Sequence, residues 1–214
     1  CDLPCPVESL FDVDAVIGRH LNFDHFDEVA AKVLPKALTL FSQSEEEAQI
    51  LRGMGFDDVR VLSGEGIAFD GVRLYRTKCD HGSSNLVTVD GYKDRGLTEK
   101  ASGVVFESAA ETERFYLAGD TIYCQLVVDA VEKFKPGIIA VNAAGAQYPL
   151  GHLIIMNQCD VRSLMRRFPT LKVIATHVEG VSQATVNRPM LREFAKANQL
   201  DQLFVPNDGE VLEF

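Results

Sequence analysis

Residues 16–28, VIGRHLNFDHFDE, decide how this chain is read. They set His20, Asp24 and His25 close together, directly after the apolar run DAVIG at residues 14–18. If the strand that DAVIG predicts ends near His20, the side chains of His20 and residue 22 project to the same side. Asp24 and His25 then lie on the turn into the next helix and face the same pocket from another angle. Imidazole nitrogen together with carboxylate oxygen suits zinc, manganese or iron(II), whereas calcium prefers an oxygen-rich cage. The stretch reads as one corner of a site for one or two divalent ions. It carries one oddity: Asn22 stands where another imidazole would be at home.

Working outward, the chain has five histidines: His20, His25, His81, His152 and His177. Three of them close or follow β-like runs, in VIGRH, VRLYRTKCDH and VIATH, and Asp120 follows FYLAG in the same way. In layered α/β folds, sites gather outside the carboxyl ends of strands, where loops converge. Each residue alone has a plainer reading. A single histidine is commonly hydrogen-bonded or exposed, and Asp120 before TIYCQLVVDA suits a turn or a helix N-cap. Their shared position is what favours a common site.

The rest of the pattern predicts a layered α/β protein forming one domain over residues 1–214. Residues 26–34 read as a helix stopped by Pro35. Residues 44–55 read as a helix opened by the Ser44/Glu47 capping pair. Strands are expected at 37–41, 59–63, 67–78 (with an Asp70-Gly71 hairpin turn), 103–107, 114–120, 137–145, 172–177 and 203–214. Helices are expected at 123–134, 159–168 and 188–199.

Composition sets outer limits. With 46% hydrophobic and 24% charged residues the chain is that of an ordinary globular protein. A net charge of −10 argues against nucleic acid or an anionic membrane surface as partner. No apolar run approaches the roughly 20 residues needed to span a bilayer. The start lacks the pattern of a secretory signal. Five cysteines without paired spacing point to reduced thiols and a cytoplasmic protein, and disfavour a Cys1–Cys5 bridge. Because the first residue is Cys, the chain is expected to begin inside a longer product or after residues that were removed.

With these residues in view, the chain resembles the metallo-β-lactamase superfamily, and more closely its L-ascorbate-6-phosphate lactonase-like branch. HLNFDH is similar to the superfamily motif HxHxDH. CDHG supplies the later histidine, His81. YLAGDT ends in the position of the bridging aspartate, Asp120, and ATHVEG carries the last histidine, His177. VPNDGEVLEF is similar to the branch's closing strand. The resemblance implies an αββα sandwich of two mixed sheets between helices, with N-terminal strands of the first sheet missing or truncated here. It implies a first metal held by His20, residue 22 and His81, and a second held by Asp24, His25 and His177, with Asp120 bridging. Asn22 departs from that set, so a weakened first site is expected, since a carboxamide oxygen is a poor ligand beside imidazole for zinc.

The activity this implies is metal-dependent hydrolysis of a small ester, lactone or sugar-derived anion. A divalent ion brings the pKa of its bound water towards about 7, and Asp24 would orient that water and pass on its proton. Asn142 and His152 are candidate substrate contacts, and Glu179 a candidate acceptor holding an imidazole tautomer. Cys79 reads as a small packed side chain. The expected cofactor is most simply zinc, with manganese or iron as alternatives, and the expected partner is a small-molecule substrate, with homo-oligomerisation open. Asn22 also leaves a non-catalytic metal- or ligand-binding member of the fold as an alternative. A small-molecule phosphodiesterase is a further one.

Overall fold

The computed structural model describes residues 5–82, 101–147 and 152–214. Cys1 lies outside them, as do residues 148–151 before His152. Cys5, Cys79, Cys124 and Cys159 are free thiols.

The first sheet has three parallel strands in the order β1 (Ala15–Gly18), β2 (Thr39–Ser42) and β3 (Val59–Val61). Its crossovers carry α1 (Glu28–Val33) and α2 (Glu45–Gly53). Asp27 opens α1 by accepting from the Ala30 N–H at 2.7 Å, and Pro35 prevents its continuation. The helix is shorter than residues 26–34 because Phe26 turns inward to pack with Leu40, Ala48 and Leu51. Ser44 opens α2 as expected, accepting from the Glu47 N–H at 3.3 Å.

The second sheet has seven strands in the order β10-β9-β8-β7-β6-β5-β4. β4 (Ile67–Phe69) and β5 (Val72–Lys78) form an antiparallel hairpin through Asp70 and Gly71, both at positive φ, the geometry of a two-residue primed turn. β6 (Ser102–Ser108) and β7 (Phe115–Gly119) continue antiparallel. β8 (Ile138–Asn142), β9 (Lys172–Thr176) and β10 (Leu203–Phe204) then add in parallel. Their crossovers carry α3 (Gln125–Phe134), α4 (Gln158–Arg167) and α5 (Arg188–Asn198). The closing strand expected over residues 203–214 is corrected to Leu203–Phe204. Beyond it the chain turns, and Phe214 returns to pack edge-on against Phe204, ring centres 4.9 Å apart.

Alternation along the strands sorts side chains into layers. Val16, Leu40 and Val59 face the first pair of helices. Ala15, Ile17, Phe41 and Leu62 face across to Leu74, Val104 and Phe106 of the second sheet. On the far side of that sheet Val105, Tyr116, Ile139 and Val173 meet Val127, Val131, Leu164 and Leu191 of α3, α4 and α5. The result is helix, sheet, sheet, helix: the αββα sandwich. Two antiparallel steps separate β5 from β7, so β5 runs with β7, β8 and β9. The carboxyl ends of all four therefore fall on one edge, and that edge carries the residues described next. Among the described residues, no helix is long and apolar enough to cross a membrane.

Candidate metal centre

Each singled-out ligand stands just beyond a strand end. His20 follows β1, His81 follows β5, Asp120 follows β7 and His177 follows β9. Asp24 and His25 come from the turn after His20, which is closed by the Asn22 carbonyl accepting from the N–H groups of His25 and Phe26, each at 2.9 Å. Asp120 is not a helix cap, because α3 begins five residues later with Cys124 at its N-cap.

Two groups of ligand atoms form, and both include Asp120. One is His20, His81 and Asp120, all buried; the other is Asp24, His25, Asp120 and His177. They meet at a single oxygen. Asp120 Oδ2 lies 2.9 Å from His20 Nε2, 2.8 Å from His25 Nε2 and 3.8 Å from His81 Nε2. His177 Nε2 is 3.2 Å from His25 Nε2 and 3.6 Å from Asp24 Oδ2. Imidazole nitrogens this close repel through their lone pairs unless a proton or a cation lies between them. The donor set, three or more imidazoles around carboxylate oxygen, fits a divalent ion of the first transition row.

The far ring nitrogens show how ready each ligand is. His81 Nδ1 donates to the Ile154 carbonyl at 2.7 Å, which fixes the tautomer and leaves Nε2 bare for an ion. His177 Nδ1 is buried with no partner among the described residues. His25 is held the other way. Arg19 Nη2 lies 3.2 Å from His25 Nδ1, and a guanidinium only donates, so the ring proton sits on Nε2 and points to Asp120. His20 Nδ1 faces the Asn22 N–H at 3.4 Å, so its Nε2–H also donates to Asp120. Two protons thus occupy the direction from which ions would be held. Arg19 fits because Gly119 has φ +78 and no Cβ, and a Cβ there would meet the guanidinium.

Ionisation follows from this geometry. Burial lowers the pKa of His20 to about 4, against the pull of Asp120. Burial alone would raise Asp120, but hydrogen bonds from His20 and His25 overcome it and hold the carboxyl well below its usual range. Burial would likewise raise Asp24, and the polar contact with His177, 3.6 Å away, brings it below the ordinary value. His177 is raised: burial opposes its charge, and Asp24 and Asp120 outweigh burial.

Two expectations change. Asn142 is not an open substrate contact. It is 3% exposed, its Nδ2 donates to Asp120 Oδ1, and its Oδ1 accepts from Thr176 Oγ1 at 2.8 Å. Glu179 holds no imidazole; its carboxylate accepts from the Arg188 N–H at 3.0 Å and from Arg188 Nη1 at 2.7 Å. Its left-handed backbone, φ +67, directs the side chain towards the start of α5. His152 is exposed and belongs to neither ligand group. Cys79 donates to the Ala118 carbonyl at 3.0 Å, and burial pushes its thiol up to about 12. Arg19 and Thr176 were not singled out by sequence. Their only signal is adjacency to His20 and His177.

No protein-family model matches the chain. The UPF0173 protein YddR of Bacillus subtilis (strain 168) is 36% identical over 215 residues, covering 99% of this chain and 81% of YddR. The chain belongs to the UPF0173 family. Its fold is that of the metallo-β-lactamases. An isothiocyanate hydrolase from Delia radicum gut bacteria superposes with a TM-score of 0.87 at 34% identity, over 99% of this chain and 82% of that one. A possible metal-dependent hydrolase from Veillonella parvula DSM 2008 does so with a TM-score of 0.87 at 33% identity, over 98% and 79%. The metallo-β-lactamase fold protein YhfI from Bacillus subtilis shares the fold alone, with a TM-score of 0.66 at 15% identity, over 95% and 79%. Two of these neighbours are thus named as hydrolases, and this UPF0173 chain carries a His/Asp cluster that could hold a metal ion.

Proposed function

We propose that this UPF0173 chain hydrolyses small molecules at an electrophilic carbon, using one or two divalent ions, most simply zinc, held at the Asp120 cluster. The observation that carries the proposal is the meeting of two ligand groups at Asp120 Oδ2. A bound divalent ion supplies an acidified water and a Lewis acid for the substrate's heteroatom. His81 presents a bare Nε2, and Asp120 supplies the shared oxygen. Asp24, held as a carboxylate at neutral pH and with 24% of its side chain exposed, would take a proton and deliver it to the leaving group.

Likeness to an isothiocyanate hydrolase makes the isothiocyanate carbon the first substrate class to test, beside the esters, lactones and sugar-derived anions that the sequence suggests. Addition of one water to R–N=C=S gives a thiocarbamic acid, which breaks its C–N bond to release the amine and carbonyl sulfide. Phe23 is 69% exposed between Asn22 and Asp24, and offers an aromatic face to a neutral, apolar R group. The free thiols agree with a cytoplasmic setting.

The test pairs elemental analysis of bound metal with hydrolysis of isothiocyanates, esters and lactones. Wild type is expected to hold metal and turn over at least one class, and Asp120→Ala to lose both. Unchanged metal content and turnover in Asp120→Ala would sink the proposal. A second reading, an ion-binding member without turnover, is favoured by Asn22 and by the Arg19 contact to His25. It predicts bound metal with no hydrolysis of any class.

A further inference from the structure

The carboxylate at which both ligand groups meet is itself held from behind. Asn142 ends β8 and Thr176 ends β9, and parallel pairing sets these two residues side by side. The Thr176 hydroxyl lies 2.8 Å from Asn142 Oδ1 and 3.1 Å from the Val141 carbonyl. Donation to the carboxamide oxygen leaves the Asn142 N–H₂ end facing Asp120 Oδ1. The reversed carboxamide would set its oxygen against the carboxylate, placing two acceptors face to face. The chain is thus directional, from Thr176 through Asn142 to Asp120. Asp120 Oδ1 is consumed by it, and Oδ2 alone is presented to His20, His25 and His81.

We propose that Asn142 and Thr176 are positioning residues that fix the Asp120 carboxylate so that one oxygen, Oδ2, serves the divalent ions of this site. The proposal rests on the metal-dependent reading above. Without the Asn142 N–H, the carboxylate rotates and Oδ1 competes for the imidazoles and for ions. Asp120 is 2% exposed, so water does not readily replace the lost donor. The role concerns ion holding before any substrate arrives, and so can be read without turnover.

The experiment compares wild type with Asn142→Leu, Thr176→Val and Thr176→Ser. Zn²⁺ affinity is measured by competition with a chromophoric chelator, Co²⁺ loading by visible absorption, and Tm on chelator-treated protein. Asn142→Leu is expected to weaken Zn²⁺ binding by roughly 10–100-fold, the range typical for partners that orient metal ligands, and to shift the Co²⁺ bands. Thr176→Val is expected to weaken binding by a smaller factor with little change in ion-free Tm, and Thr176→Ser to restore it. If Asn142→Leu does not fold, the Thr176 pair decides. Zn²⁺ affinity and Co²⁺ bands equal to wild type in the folded variants overturn the positioning role and leave the metal reading standing. A lower Tm with unchanged affinity does the same, as it marks a structural role only. Wild type that takes up neither ion overturns both.

Discussion

Acidifying the ion-free protein from pH 6.5 to 4 tests the buried cluster most directly. His20 has 0% exposure and is held neutral, with a pKa near 4 where an unburied histidine has 6.5. Between those values the unfolded chain binds a proton that the folded chain refuses, so stability falls as pH falls. At pH 4 the loss attributable to His20 is about 3 kcal/mol, taking about 1.4 kcal/mol per pH unit and allowing for half-protonation of the folded state. For a chain of this size that is a Tm drop of roughly 6–12 °C. The neighbouring groups act in other windows. Asp120 and Asp24 have depressed pKa values, so their contributions are lost only as pH falls below the ordinary carboxylate range. His177 is raised, so its contribution is fully present below 6.5 and lost as pH rises through its folded value. Thermal melts by circular dichroism, on chelator-treated wild type and His20→Gln across pH 4–7.5, isolate the effect. The variant should show a flatter profile between 6.5 and 4. Equal slopes for the two proteins would refute the assignment of the buried neutral imidazole to His20.

The other predictions address the ions and the backbone. Asn22→His should tighten binding of the first ion by at least about 10-fold, the lower end of what even indirect changes around metal ligands produce; titration showing both ions already equally tight in wild type would remove Asn22 as a cause of weakness. Arg19→Met should tighten the second ion, again by about 10-fold or more, because nothing then holds the His25 proton on Nε2; a weaker second ion in calorimetry would mean that Arg19 supports the site instead. Gly103→Ala should destabilise by about 1–3 kcal/mol, because a Cβ there falls 2.7 Å from the Ala118 carbonyl and 2.8 Å from that of Leu117, neither able to retreat. A denaturant midpoint unchanged from wild type would contradict that packing.

Much of the architecture was legible because it depends on local pattern. β-like runs ending in His20, Asp120 and His177 located the edge where the two ligand groups meet, and Asp70-Gly71 announced its hairpin. What was hidden depends on register between distant strands and on backbone hand. Asn142 at the end of GIIAVN looks like any residue at a loop mouth; only the pairing Asn142↔Thr176 turns it inward to Asp120. Glu179 lies two residues after His177, which in extended chain puts both side chains on one face. Left-handed φ values at His177 and Glu179 break that alternation and send the carboxylate to Arg188. The tail carries strand-like apolar residues, yet Val211 is 81% exposed and Phe214 packs on Phe204 in place of strand pairing.

Ligand counting alone ranks the two halves of the centre, and the far nitrogens reverse part of that ranking. The group around His81 lacks an imidazole at position 22, but its His81 tautomer is already set for an ion by Ile154. The group around His177 has every donor, yet His25 enters it with its proton on the ligating nitrogen and a guanidinium on the other. For His25 to ligate through Nε2, the proton must leave that atom, and Nδ1 can receive it only if Arg19 withdraws. Nη1 of Arg19 is buried with no partner among the described residues, which makes that withdrawal less costly than it is for a fully satisfied guanidinium. An ion held at either group would draw on the Asp120 carboxylate that His20 and His25 also face, and so would loosen the hold on the second group's protons. Occupancy of the two groups should therefore be coupled, and the coupling should diminish in Arg19→Met, where the proton on His25 is free to move before any ion arrives.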